Sequence, residues 1–360
     1  MRQAYTFDDV LLVPKKSTHS PSQVSPATQL TSRIKLDVPL LSASMDTVTE
    51  SAMAIALGAA GGLGVIHKNM PTARQAAEVK KVKAKKLLCG AAISVGSDAL
   101  ERADALIKAG VDLLVTDVAH GHFYKVAETI KTLRRKYGQK VILVGGNVAT
   151  GAATTDLIKA GANVIKVGVG PGSICTTRVV AGVGVPQLTA IMDAAKAAKK
   201  TKTPVIADGG IKYSGDVVKA LAGGAHAVML GGLLAGTDEA PGKKVRVNGV
   251  WMKAYRGMGS IDAMRQGSND RYMQADRKNK RDLIAEGVSA HVEYKGDVQT
   301  IINQLVGGLR QGLGYTGAKD IPTLHKTAEF VIISNAGLRE SHPHSLQKIS
   351  RAPNYRSDFS

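Results

Sequence analysis

Short, nearly continuous apolar runs recur along this 360-residue chain, at 38–44, 63–68, 87–95, 113–120, 141–148, 164–170, 204–211 and 227–236. Their length and their wealth of Val, Ile and Leu predict strands, and the lack of polar alternation predicts strands covered on both faces. Between the runs the apolar residues change to helical spacing. Val126, Ile130, Leu133 and Tyr137 share one face after the fourth run, and Leu188, Ile191, Ala195 and Ala198 do so after the sixth. Eight strand–helix units in succession predict an α/β protein, a closed (β/α)8 TIM barrel; an open doubly wound sheet is the alternative, but closure suits eight units in a row better.

The eighth helix comes late. Residues 297–313 carry its pattern, so 237–296 reads as a long insertion between strand eight and its helix, and loops of that length inside compact domains are usually functional. Roughly the first 35 residues and the tail after about residue 321 lie outside the repeat, within the few-residue error of such boundaries. The expectation is one catalytic domain over 1–360, with 237–296 as its active-site loop and flap.

Composition narrows the partners. An aromatic content of 4% points to a core of Val, Ile, Leu and Ala. The net charge of +19 invites a nucleic-acid reading, but no finger spacing, RNA-binding aromatic motif or arginine-rich tail accompanies it. The charge is dispersed in short clusters such as 80–86 and 277–281, which suits attraction of phosphate-bearing small molecules and leaves nucleic acid a secondary partner at most. The two cysteines, Cys89 and Cys175, do not make a disulfide framework. With no signal core and no run long enough to span a bilayer, a cytoplasmic protein without a membrane partner is expected.

In a barrel of this kind chemistry gathers at the C-terminal strand ends. The sixth end opens into Gly168, Gly170 and Gly172, followed by Ser173, Cys175, Thr176 and Thr177. A free cysteine is most often simply buried, yet here it is the one strong nucleophile in a turn rich in glycine and hydroxyl groups, where it can attack an electrophilic carbon. The fourth end supplies Asp117, His120 and His122, the fifth Asn147, the seventh Asp208, Gly209 and Gly210, and the eighth Gly231 and Gly232. Glycine pairs after strands seven and eight suit a phosphate held by backbone N–H groups. Asp208 would repel that phosphate and suits a sugar diol, so a ribose 5′-phosphate is expected. His120 and His122 lack a third ligand at a recognised interval and are read as ordinary polar residues. The insertion adds a glycine-rich stretch, Tyr255 to Ser260, and a polar, lid-like one around Arg271 and Tyr272.

On segments 44–50, 145–147, 168–178, 208–210, 255–260, 270–272 and 340–342, which run in order over nearly the whole chain, the sequence closely resembles the IMP dehydrogenase / GMP reductase family. The resemblance implies NAD-dependent oxidation of inosine 5′-monophosphate (IMP) to xanthosine 5′-monophosphate. Cys175 attacks C2 of the hypoxanthine, hydride passes to NAD, and a covalent thioimidate remains. Arg271 then acts as the base that activates water, with Thr177 and Tyr272 positioning it. The implied IMP contacts are Ser173, Asp208, Gly209, Gly210, Gly231, Gly232, Tyr255, Arg256, Gly257, Met258, Gly259 and Glu286; the implied NAD contacts are Asp117, Asn147, Gly168, Val169 and Gly170. A potassium ion (K+) is implied at Gly170, Gly172 and Cys175 with Glu340, Ser341 and His342 of a neighbouring subunit, and with it a homotetramer.

The chain departs from the family in two places. Gly232 stands where a serine is usual, which leaves one side-chain phosphate contact in doubt, and only the short stretch 78–87 occupies the place of the regulatory pair of CBS modules. GMP reductase, which uses NADPH, shares the barrel and the cysteine loop and also lacks those modules. It has no need to hydrolyse the thioimidate, however, and its pattern lacks the 256–260 and 270–272 elements, so the dehydrogenase reading is preferred.

Overall fold

The computed structural model describes residues 1–277, 279–346 and 352–355. Eight parallel strands close a barrel in chain order: β1 (Leu40–Ser42), β2 (Leu63–Ile66), β3 (Cys89–Ile93), β4 (Leu113–Thr116), β5 (Ile142–Val148), β6 (Val164–Val167), β7 (Val205–Asp208) and β8 (Ala227–Leu230). The last pairs back to the first, Met229 opposite Leu41. Each strand falls inside its expected run, but most stop short of the run's end. The run 227–236 divides, because the backbone leaves the extended region at Gly231 and residues Gly232–Ala235 form a single helical turn.

The outer ring comprises α1 (Ser51–Ala59), α2 (Thr72–Ala84), α3 (Ser97–Lys108), α4 (Tyr124–Tyr137), α5 (Gly151–Ala160), α6 (Gln187–Ala198), α7 (Ser214–Ala222) and the delayed α8 (Val298–Tyr315). The last packs between α7 and α1 and completes the ring. Strand alternation sorts the buried side chains into two layers. Leu41, Val65, Val115, Val144, Ile206 and Met229 fill the barrel, and Leu30 and Ile34 of an N-terminal hairpin close its floor. Ile165 and Val167 of β6 point outward to the helices. Val164 points inward, and by the same alternation so does Lys166.

The insertion is more ordered than a loop. Lys244–Val247, Val250–Arg256 and Ser289–Glu293 form a three-stranded antiparallel sheet. Its first turn is Asn248-Gly249, both at positive φ (48° and 80°), the strongest short-range hairpin signal a sequence offers, here flanked by the alternating stretch 244–247. Lys253, only 4% exposed, anchors this sheet by donating to the carbonyls of Thr237 (2.7 Å) and Ala240 (2.5 Å). The two segments outside the repeat meet each other, since Phe330–Ile332 pairs antiparallel with Val10–Leu12.

A half-buried histidine at the barrel's N-terminal end sets a pH limit. His226 Nδ1 accepts from the Val205 N–H at 3.2 Å, and its ring lies edge-on to His325. Burial, with a smaller contribution from His325, pushes its pKa down to about 4. The unfolded chain takes up this proton near pH 6.5, so the contribution to stability is full above 6.5 and is lost as pH falls from there toward about 4. The melting temperature should therefore drop between pH 6.5 and 5, and His226→Asn, which keeps an acceptor for Val205, should flatten that drop. An unchanged slope in the variant would contradict this assignment.

Candidate active site

The strand ends converge on a buried ammonium. Lys166, 1% exposed, donates to Asp208 Oδ2 at 2.6 Å and to Asn147 Oδ1, and lies 3.7 Å from Asp117 Oδ1. Strands β4 to β7 thus meet at one cation. The register slips between Gly146 and Val148, an irregularity of the kind that re-aims a side chain at a strand end. Asn147 uses its amide to bond Asp208 Oδ2 (2.8 Å) and the Gly168 carbonyl (2.9 Å). Gly168 itself must be glycine, because at φ 150° a Cβ would stand 2.0 Å from the Asp208 carbonyl oxygen. This close approach starts the cysteine loop.

That loop is pinned as a short extra strand. Cys175 bridges Gly287, the Thr176 N–H donates to Glu286 O at 3.0 Å, and the Val288 N–H donates to Ile174 O at 3.0 Å. The Cys175 thiol donates to Thr177 Oγ1 at 3.1 Å. Nearby, the Arg178 guanidinium is fixed on the carbonyls of Val169 (3.1 Å) and Val185 (2.6 Å). Burial pushes the Arg178 pKa down and the Cys175 sulfur works against that, so a cation stands close to the nucleophile. Cys175, Thr177, Asp208, Met258, Tyr272 and Glu286 all face one cavity of about 120 Å³.

A larger cavity of about 700 Å³ adjoins it, sharing Met45, Asp208, Gly209 and Tyr255 in its lining and adding Ser173, Gly210, Gly231 and Gly232. The Tyr255 hydroxyl, pushed up to about 12 chiefly by burial, lies 3.5 Å from where a Cβ at Gly232 would stand, with Ser173 Oγ at 3.4 Å, so hydroxyl groups border the place of the missing serine. Arg256 reaches the site by its backbone at most. Its side chain turns away onto Asp46 (2.5 and 3.1 Å) and Gln266 (2.6 Å) and lines neither cavity.

The lid-like stretch is seated on the barrel mouth. Its 3-10 turn Ser268–Tyr272 is held by Ser268 Oγ donating to Met258 O (2.5 Å), by the Ala119 N–H donating to Arg271 O (2.9 Å) and by Lys68 Nζ on Asp270. The Arg271 guanidinium pairs with Asp117. Burial alone would push the Asp117 carboxyl up, but Arg271 foremost, with Lys166 and Lys68, holds it below the usual carboxylate range. Burial opposes the Arg271 charge too, and Asp117 foremost outweighs it, so the guanidinium stays firmly protonated. Its Nε–H is buried with no acceptor among the described residues. Tyr272 is pushed up to about 12 by burial.

The remaining expected residues sort plainly. Gly168, Gly170, Asn147 and Gly257 reach the smaller cavity, whereas Val169 and Gly259 line neither. His122 bonds Asp156 at 2.9 Å, and among the described residues no three acidic, histidine or cysteine side chains gather as a metal site. Glu340 is exposed and ends the helix Asn335–Glu340; Ser341 follows it, and His342 lies edge-on to Tyr213 and 3.2 Å from the Tyr355 hydroxyl. Sequence reasoning missed Lys166, Lys68, Asp46 and Lys253. A lysine inside the otherwise apolar run at 164–167 was the visible signal for the first.

Comparison with known proteins shows the family of the chain. Residues 4–344 match the family described as IMP dehydrogenase / GMP reductase domain. The inosine-5'-monophosphate dehydrogenase of Borreliella burgdorferi is 45% identical over 399 aligned positions, covering 97% of this chain and 98% of that protein. The proteins of that name from Halalkalibacterium halodurans and Staphylococcus aureus (strain Mu50) are 40% identical over 480 and 481 positions, covering 98% of each chain. Those alignments exceed the 360 residues here, and the surplus has no counterpart in this chain.

The two cysteines should react very differently. Cys89 is fully buried, its thiol pushed up to about 12 chiefly by burial, while Cys175 faces a cavity. Iodoacetamide should modify Cys175 on the native protein and Cys89 only after unfolding, as read by peptide mass spectrometry. Equal native labelling would contradict the arrangement.

Proposed function

Because the chain belongs to the IMP dehydrogenase / GMP reductase family, we propose that this barrel oxidises inosine 5′-monophosphate to xanthosine 5′-monophosphate with NAD as hydride acceptor, a step of guanine nucleotide biosynthesis. One observation carries the choice of reaction. The Cys175 loop and the Arg271–Tyr272 turn line the same small cavity, so a nucleophile and a hydrolytic group can act in turn on one carbon. A reductase discharges its cysteine adduct with hydride and has no need of a hydrolytic group.

The chain's residues then take these roles. The ribose 5′-phosphate lies along the larger cavity, its phosphate on the N–H groups of Gly209, Gly210, Gly231 and Gly232 with Ser173 and Tyr255, its diol on Asp208. Gly257, Met258 and Glu286 border the base, and Arg256 serves through Asp46 in holding their loop. The Cys175 thiolate adds to C2, hydride leaves C2 for NAD, and the thioimidate on Cys175 remains. Water then adds at C2 and the thiolate is expelled. Arg271 is the proposed base. Its pair with Asp117 favours the protonated guanidinium, so base action requires that pair to part. Thr177 and Tyr272 hold the water, and the unmatched Arg271 Nε–H supports a site for it.

NAD supplies the hydride acceptor when bound. The residues present fit a nicotinamide–ribose: Asp117 and Asn147 offer buried polar groups beside the backbone of Gly168–Gly170. The docked Arg271 already occupies Asp117, so cofactor and flap exclude one another. For potassium, the carbonyls of Gly170, Gly172 and Cys175 are neutral oxygens of the kind a large monovalent cation takes, and we propose that Glu340, Ser341 and His342 of a second copy complete the cage in a homotetramer. We read the passage from α2 into β3 as lacking the CBS pair. A catalytic free thiol suits the reducing cytoplasm, and the +19 surplus supports no more than secondary nucleic-acid binding.

Two assays on one enzyme test this reading. IMP with NAD should raise absorbance at the NADH band, whereas GMP with NADPH should leave it unchanged; the reverse would make the protein a reductase. Arg271→Ala should give a near-normal NADH burst followed by turnover slowed at least ~100-fold, the loss expected for a general base, with the adduct on Cys175 seen by intact mass. Loss of the burst, or unimpaired turnover, would remove Arg271 from the hydrolytic step.

A further inference from the structure

Two ion pairs of opposite sense hold the flap at the barrel mouth. Lys68, on the loop after β2, donates to both Asp270 carboxylate oxygens at 2.5 and 2.6 Å, and the next residue, Arg271, gives its guanidinium to Asp117. The flap therefore brings a carboxylate and a cation side by side, and the barrel meets each with its opposite. The Lys68 side chain is only 7% exposed, and burial pushes its pKa down against the pull of Asp270. An ammonium this dry is costly without a partner.

Other cations near the flap are committed. Arg102 lies close enough to feel Asp270, but its donors go to the Met70 carbonyl and to Gln75 Oε1. Lys166 serves Asp208 and Asn147. Lys68 is the direct partner of Asp270 among the described residues, while Asp117 and Lys68 also act on each other electrostatically.

We propose that Lys68 is a positioning residue for the hydrolytic half of the reaction: through Asp270 it seats the flap so that Arg271 and Tyr272 reach the cavity of Cys175. This rests on the reading of the flap as the hydrolytic element. The donors of Lys68 go to the flap and not to the Cys175 loop, so its loss should fall on flap seating rather than on hydride transfer.

Lys68→Met and Asp270→Asn should each keep the NADH burst, slow steady turnover at least ~10-fold and accumulate the thioimidate on Cys175, as removal of one partner from a buried charge pair implies. The double variant should be no slower than the slower single one, because both remove the same interaction, and Lys68→Arg should restore most of the rate. A purely structural role would lower burst and turnover together and would not show this coupling. Turnover at the wild-type level, loss of the burst, or multiplying effects in the double variant would overturn the proposal. Asp270, on the more exposed side of the pair, carries the test alone should Lys68→Met not fold. Arg271→Ala run in parallel separates the two failures. Slow hydrolysis there with normal Lys68→Met turnover sinks only the latch, whereas normal hydrolysis in Arg271→Ala sinks the flap reading and the latch with it.

Discussion

An ammonium group buried in the mouth of the barrel constrains everything above it. Lys166 sits at 1% exposure, and a charge taken out of water must find opposite charge and acceptors or cost several kcal/mol. Its partners are Asp208 on β7, Asn147 on β5 and, more distantly, Asp117 after β4. Satisfying one lysine therefore sets the positions of three side chains that sequence reasoning had assigned separately to sugar and cofactor. Asn147 passes the constraint on by clamping the Gly168 carbonyl, the first residue of the cysteine loop. Asp208 passes it on to Gly209 and Gly210, which follow it directly.

The flap joins the same network from outside. It docks through Arg271 on Asp117 and Asp270 on Lys68, so the mouth holds three cations and three carboxylates with the flap in place. The small sheet of the insertion, anchored by Lys253 in its carbonyls, provides the rigid base from which the flap and the Tyr255 loop extend.

The barrel was legible in the sequence because strands covered on both faces must be apolar almost throughout, and all eight runs became strands. The late α8 was legible too, since its helical spacing survives sixty residues of intervening chain. The cysteine loop announced itself by its glycines. What hid was whatever depended on tertiary approach. Lys166 lay inside an apolar run, and only closure of the barrel shows that alternation aims it at Asp208. Lys68 and Asp270 lie 202 positions apart, and nothing local marks them as partners. Arg256 was assigned to the ligand with its neighbours, but a strand residue points opposite to the one before it, so Tyr255 faces the cavity while Arg256 faces Asp46. The hairpin at Asn248-Gly249 was visible and was overlooked, its short strands being exposed and rich in charge.

The account stands on Lys166 organising the substrate site, and Lys166→Met tests it most directly. Titration calorimetry with IMP should show affinity reduced at least ~10-fold, as removal of one member of a buried, hydrogen-bonded charge pair implies, while circular dichroism and a cooperative melt show the barrel intact. The methionine has similar bulk but leaves Asp208 and Asn147 without their shared donor. A folded Lys166→Met protein that binds IMP as tightly as the wild type would contradict the account.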